Sequence, residues 1–384
     1  VNDFLQGCVS RVPSRLSRPV FKTIDRARKR LFSATPKSRR MRLLQKKLLE
    51  EKYDGDAKRL IIFLAPGSDI VNGGVLSISS IFEETEKLKA VHGAETLLCN
   101  YPGDPPLLKY TKFANDNILF CFSQVLKYFD KLEYLQIHIP EHAVSQFLSR
   151  SSHKDFLRLK EIKTVEINVL IQNIDLLPSV RIITKLSRFG KLTCTTAHSK
   201  YLTIQLRNNL GFPLHGLSTF VSPEKYHFIN YSEKENLMIV SPDLHSRKSE
   251  VLNLIARRFP QMKIQIIAKM TYSEYKATIS KAKWALTFGE GLDGYFVEPI
   301  FSGSISFSVY NASFFTEDFK SLRTIYDTYD SMIEKICSDI RDLDNEKEFT
   351  SYQSEQFAIC QKHYQYTEYV KNLESFYRGD YTYK

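Results

Sequence analysis

Three observations predict an α/β protein of two consecutive units whose parallel sheets face each other across a cleft. Apolar, β-branched runs alternate with helical segments from Arg59 onward, the alternation restarts at Asn236, and a glycine-rich loop leaves a late strand of the second unit. Strands that are apolar throughout, rather than at every second residue, belong to parallel sheets covered on both faces.

The first unit opens with a buried strand at 60–66, then a loop carrying Asn72-Gly73-Gly74 and a long helix that ends near His92-Gly93. Further strands are expected at 96–99, 118–122, 134–139, 165–171 and 192–196, with helices between most of them, and the unit ends near Phe228. The second unit begins with a strand at 236–242, followed by a helix from about Lys248 to Phe259 and a strand at 263–268. A helix then starts at Thr271, where Thr271 and Glu274 have the spacing of a capping box. A strand at 284–288, the glycine-rich loop and a strand at 304–309 complete the unit. From Thr316 the chain reads as helical, with Leu322, Ile325, Tyr326, Tyr329, Met332, Ile333, Ile336 and Ile340 at spacings of three and four. The division is thus a basic helical leader over 1–59, a Rossmann-like unit over 60–230, a second over 231–315, and C-terminal helices over 316–384 that pack back on the first unit. The tyrosines crowded at the end of the chain (Tyr364, Tyr366, Tyr369, Tyr377, Tyr381, Tyr383) fit packing better than sugar stacking, because aromatic stripes on helices mostly pack.

A hydrophobic share of 43% over 384 residues supports two cores. No run of 18 apolar residues and no signal-peptide pattern occurs, so a membrane-spanning helix and secretion are not expected. The sequence opens on Val1, which leaves room for an upstream segment. Six scattered cysteines with no CxxC pair imply a reducing, cytoplasmic setting and no structural zinc. The formal charge of +11 lies wholly in residues 1–59, which hold 17 Lys or Arg against 6 Asp or Glu. The rest of the chain is balanced, and it shows neither a basic groove with interleaved aromatics nor a recognition motif, so nucleic acid is not an expected partner. Residues 11–52 instead read as one or two basic amphipathic helices with a break near Pro36, either a solvated arm or an attachment to an anionic membrane surface at the inner face.

The chemistry concentrates in residues 288–303, Phe-Gly-Glu-Gly-Leu-Asp-Gly-Tyr-Phe-Val-Glu-Pro-Ile-Phe-Ser-Gly. Gly289, Gly291 and Gly294 let the backbone approach a phosphate, and a helix beginning near Glu298 would aim free amides at the same place. Glu290 and Glu298, with seven residues between them, followed by Ser302-Gly303 and an apolar strand, resemble the E-x7-E signature of retaining GT-B glycosyltransferases of the family-four type. Ser241 to Lys248 resembles the segment where that family carries an Arg and a Lys for the donor diphosphate. Asn72-Gly73-Gly74-Val75 is similar to its glycine pair after the first strand, and Thr195 to Ser199 to its late first-domain segment.

The resemblance implies a GT-B fold and transfer of a sugar, hexosyl or deoxyhexosyl, from a nucleotide-sugar co-substrate to a glycan or glycolipid acceptor in cell-surface polysaccharide synthesis. It further implies retention of configuration and no metal or other cofactor. Glu290 would accept hydrogen bonds from donor-sugar hydroxyls and Glu298 from the ribose. Arg247 and Lys248 would neutralise the leaving diphosphate, with Gly289, Gly291 and Gly294 assisting. Gly73 and Gly74 would shape the cleft. Asp293-Gly294-Tyr295-Phe296 departs from the usual loop, so Asp293 is either a sugar contact or a turn aspartate. Gln172 or Asn173 stands where many relatives have a histidine. His138 and His198 sit at strand ends as structural histidines or as participants. Competing readings are a nucleotide-sugar epimerase or a phosphorolytic enzyme on the same frame, and a non-catalytic nucleotide- or glycan-binding subunit.

Overall fold

The computed structural model describes residues 35–103, 105–218 and 221–384. Most of the basic stretch over 11–52 lies outside the described residues; the part inside is one helix, Pro36–Lys52, with Thr35 as its N-cap and Pro36 in its first turn, where the missing amide costs nothing. It buries Ser38, Gln45 and Leu49, and the Gln45 side-chain amide donates to the carbonyls of Leu107 and Leu119 at 3.0 and 2.7 Å.

The described residues form two parallel sheets. The first comprises β1 (Arg59–Pro66), β2 (Glu95–Tyr101), β3 (Leu119–Cys121), β4 (Tyr134–Pro140), β5 (Thr164–Ile171), β6 (Lys191–Thr196) and β7 (Leu214–Gly216), in the order β3-β2-β1-β4-β5-β6-β7. The second comprises β8 (Glu235–Val240), β9 (Lys263–Ile266), β10 (Ala282–Leu286), β11 (Ile305–Val309) and β12 (Ile325–Tyr326), in the order β12-β11-β10-β8-β9. In both sheets the order reverses beside the first strand. Such a switch point opens a crevice at the carboxyl ends, where ligands of doubly wound folds bind. Apolar residues of β1, β4 and β5 are buried from end to end, as sheets covered on both faces require.

Three sequence expectations change. The short strands β7 and β12 carry too few residues to leave a pattern, and β12 takes Ile325 and Tyr326 out of the helical stripe; the helices there are Tyr329–Leu343, Glu346–His363 and Tyr366–Tyr377. His138 is not in the cleft. It is buried in β4, stacked on Phe63 at 4.2 Å, with its ring nitrogens facing the Asn168 amide and the Tyr377 hydroxyl. Burial holds its pKa down to about 3, so it stays neutral. The third change concerns the helix after the glycine-rich loop, which begins at Gly294 rather than near Glu298.

The helix Tyr366–Tyr377 crosses back to the first sheet's layer. Tyr369 reaches Ser80, Tyr377 reaches Thr85, and the Asn372 carbonyl meets His215. Tyr383 then pairs with Leu214 as an isolated antiparallel bridge.

The Gln45 contacts generate a test of how the N-terminal helix is anchored. Gln45→Ala leaves the buried Leu119 carbonyl and the half-buried Leu107 carbonyl without this donor, and losing a buried partner costs about 1–3 kcal/mol. A thermal midpoint several degrees lower is expected; an unchanged midpoint would mean the helix is not docked there.

Candidate functional site

The carboxyl ends of both sheets open into one cavity of about 1090 Å³. From the first sheet it receives the loop after β1 with Gly73 and Gly74, Glu141 and His142 after β4, Gln172 and Asn173 after β5, and His198 after β6. From the second it receives Asp243 after β8, Lys269 to Tyr272 after β9, and Gly289, Glu290, Asp293, Gly294 and Glu298 after β10.

The glycine-rich loop is built by local sterics. Gly291 has φ +85°, and a Cβ there would sit 2.7 Å from the Phe315 ring, so no larger residue fits. Gly294 starts the helix Gly294–Phe301, and a Cβ on it would meet Glu298 Oε1 at 2.6 Å. Asp293 is the N-cap of this helix, accepting from the Phe296 amide at 3.2 Å. The positive end of the helix is therefore answered by a carboxylate of the protein itself. Burial raises the Asp293 pKa well above the ordinary value, with further upward pushes from Asp243 and Glu290.

Glu298, one turn further along, is buried. Tyr272 Oη donates to its Oε2 at 3.2 Å, and the Tyr226 and Tyr272 hydroxyls lie 3.0 Å apart. Burial pushes its pKa up to about 8, against the lowering pull of the two tyrosine hydroxyls. Glu290 faces the first sheet: Asn173 Nδ2 donates to Oε1 at 2.5 Å. Asn173 Oδ1 is engaged by the Asp175 amide, which fixes the orientation of the side chain. Glu141 in turn accepts the backbone amides of Gln172 and Asn173 at 3.1 and 3.2 Å, pinning the loop that carries Asn173. Gln172 Nε2 donates to the Gly74 carbonyl at 3.0 Å, which ties the same loop to the start of the helix Gly73–Lys87. Burial raises the Glu290 pKa to about 7, helped by Asp243, Asp175 and Glu141.

Other expected residues fall elsewhere. Arg247 does not point into the cavity; its guanidinium is held by Glu250 and by Asp330 at 2.6 Å, on the solvent side. Lys248 also stays outside, with Nζ on the carbonyls of Ser241 and Asp243 at 2.6 and 2.8 Å. Gly291 supports the loop from behind rather than lining the cavity. His198 does line it, against Phe314 and Tyr201, with its pKa lowered by burial.

Sequence reasoning missed Glu141, Asp243, Lys269 and the tyrosines Tyr272, Tyr275 and Tyr295. Glu141 directly follows β4 and Asp243 lies three residues past β8, positions at strand ends that could have marked them. Nothing in the sequence signals Tyr272. Lys269 has φ +52°, uncommon for a non-glycine residue, and is the one Lys or Arg lining the cavity among the described residues. The arrangement offers carboxylates and tyrosine hydroxyls on one wall, suited to polyhydroxyl recognition, and a helix N-terminus at Gly73 on the other.

No protein-family model matches the chain, and no curated protein matches it in sequence. Solved structures do match. HepE of Anabaena in complex with UDP and glucose is 10% identical, with 83% of this chain and 99% of that one covered and a TM-score of 0.53. The UDP-glucose complex of the same protein gives 9% identity, 83% and 99% coverage, and a TM-score of 0.51. At such identity the likeness is one of fold, and the fold is that of GT-B glycosyltransferases.

The pH dependence of Glu290 provides a check on this geometry. A carboxyl whose folded pKa lies above its ordinary 4.5 binds its proton more tightly in the folded state, so its contribution is full below pH 4.5 and is lost as pH rises through 7. Glu290→Gln should therefore flatten the fall in thermal midpoint across that window and leave the acid side unchanged. Parallel curves for the two proteins would contradict the buried placement of Glu290.

Proposed function

We propose that the protein transfers a sugar from a nucleotide-sugar donor to an acceptor hydroxyl in the cleft. The observation that carries this reading is that Glu290 and Glu298 both line the cavity between the carboxyl ends of the two sheets. In the proposed arrangement Glu290 and Asp243 accept hydrogen bonds from the donor sugar, and Glu298 with Tyr272 meets the ribose. Bonds between sugar hydroxyls and these carboxyl groups orient a pyranose ring, and they strengthen where the carboxyl is ionised. The diphosphate would take donors from the Gly73–Lys87 helix N-terminus and from Lys269, because Arg247 and Lys248 are engaged elsewhere. Retention of configuration and transfer without a metal ion belong to the proposal. A developing positive charge on the sugar ring fits a wall of carboxylates on the same cleft.

A second reading is favoured by one specific observation. The cavity-lining carboxylates outnumber the cations, with Lys269 the one Lys or Arg among the described residues there, as a non-catalytic glycan- or nucleotide-binding subunit would tolerate. Incubation with a panel of nucleotide sugars and acceptors separates the two. Nucleoside diphosphate release is expected, and Glu290→Ala and Asn173→Ala should each lower it by about 10²-fold or more, in the range of losing one preorganised polar group. Thermal stabilisation by nucleotide without turnover, across the panel, would favour the binding subunit.

The acceptor is proposed to be a glycan or glycolipid reached from the inner membrane face. No helix among the described residues is long and apolar enough to cross a membrane. The helix Pro36–Lys52 instead shows Leu43 at 68% exposure and Leu44 at 39%, flanked by exposed Arg39, Arg40, Lys46 and Lys47. Basic residues at an anionic surface contribute about 1 kcal/mol each, and two leucines can enter the headgroup boundary. Sedimentation with phosphatidylserine vesicles should fall at least about fivefold in Leu43→Ser/Leu44→Ser, which removes much of the insertable surface. Equal pelleting of both proteins would exclude this face.

A further inference from the structure

The two walls of the cavity differ in chemistry beyond what donor binding requires. Of the exposed large apolar side chains among the described residues, two line the cavity: Ile70 at 39% exposure and Leu176 at 54%. Both come from the first sheet. Ile70 lies in the loop after β1, and Leu176 closes the 3-10 turn Ile174–Leu176 after β5. Because β1 and β5 flank β4, the strands that carry these loops are about 10 Å apart, two strand spacings. An isolated exposed leucine needs no explanation, but two large apolar side chains on one edge of one cavity form a surface.

That edge is held in place. The Asp69 carboxylate, next to Ile70, accepts the Thr111 amide at 2.9 Å and its hydroxyl at 2.5 Å. Asn173 caps the turn that presents Leu176, and Leu177 packs against the first core. The same Asn173 meets Glu290, so the apolar edge begins three residues from the bond that crosses the cleft. The opposite wall carries Asp243, Glu290 and Asp293 and offers no comparable apolar exposure among the described residues.

We infer that the acceptor is amphiphilic, with an alkyl tail attached close to the glycosylated hydroxyl, and that Ile70 and Leu176 hold the tail. The inference rests on the reading of the cleft as a nucleotide-sugar transfer site. The first sheet then grips the apolar part of the acceptor, while carboxylates of the second sheet meet the sugar and ribose of the donor. Specificity for a tail arises at the edge and leaves the carboxylate wall free for the donor.

The probes are methyl, butyl, hexyl and octyl β-D-glucosides, each below its micelle-forming concentration, titrated into the whole chain by calorimetry with and without UDP. Affinity is expected to rise with chain length, by up to about fourfold for each fully buried methylene. Leu176→Ser and Ile70→Ser should each cut the advantage of octyl over methyl at least fivefold, with thermal midpoints unchanged; Leu176→Ala serves if a serine variant is unstable. A chain-length dependence that survives these substitutions, or one absent from the unaltered protein, overturns the inference. If UDP fails to bind while the dependence disappears in the variants, the apolar edge stands and the nucleotide-sugar reading is what fails.

Discussion

Across the cleft a hydrogen bond runs from Asn173 Nδ2 to Glu290 Oε1, and both partners are held by their own sheet. On the first sheet, Glu141 accepts two consecutive amides and so sets where Asn173 can point. On the second, Gly291 and Gly294 allow a loop tight enough to bring Glu290 to the mouth and Glu298 behind it.

Carboxylates then dominate the electrostatics. Asp243 raises the proton affinity of both Glu290 and Asp293, and burial acts in the same direction on each. A wall of this kind is poor for an isolated diphosphate and good for sugar hydroxyls or for a ring that gains positive charge. In the proposed arrangement the diphosphate is met from the other side, where the helix Gly73–Lys87 presents its N-terminus and Asn72 uses its side chain on the Val75 amide. The ion pair of Arg247 with Asp330 keeps a guanidinium within the same domain yet out of the cavity, so any donor that needs it must compete with Asp330.

The parallel strands were legible because buried strands are apolar at every position, as in Leu60 to Leu64. The capping box at Thr271 and Glu274 forms as its spacing implied, with the Glu274 carboxylate on the Thr271 amide. Legibility ended where tertiary partners decide. The helix expected to begin near Glu298 starts about a turn earlier, at the Asp293 cap and the small Gly294, and Pro299 is accommodated inside it. Arg247 follows the end of β8 by seven residues, yet Asp330, 83 residues away, captures it. His138 alternates with apolar neighbours on a strand, and only the fold shows Phe63 and Tyr377 enclosing it. The site tyrosines could not be found because their role depends on where Glu298 is buried.

The central claim is that a nucleotide-sugar donor occupies the cleft and touches both walls. Hydrogen–deuterium exchange with and without UDP and UDP-glucose tests it most directly. The expected result is slowed exchange at 289–298 together with 72–75 and 172–173, from segments far apart in sequence that meet only in this cavity. Unchanged exchange at 289–298 under saturating ligand, or protection confined to one sheet's loops, would contradict it.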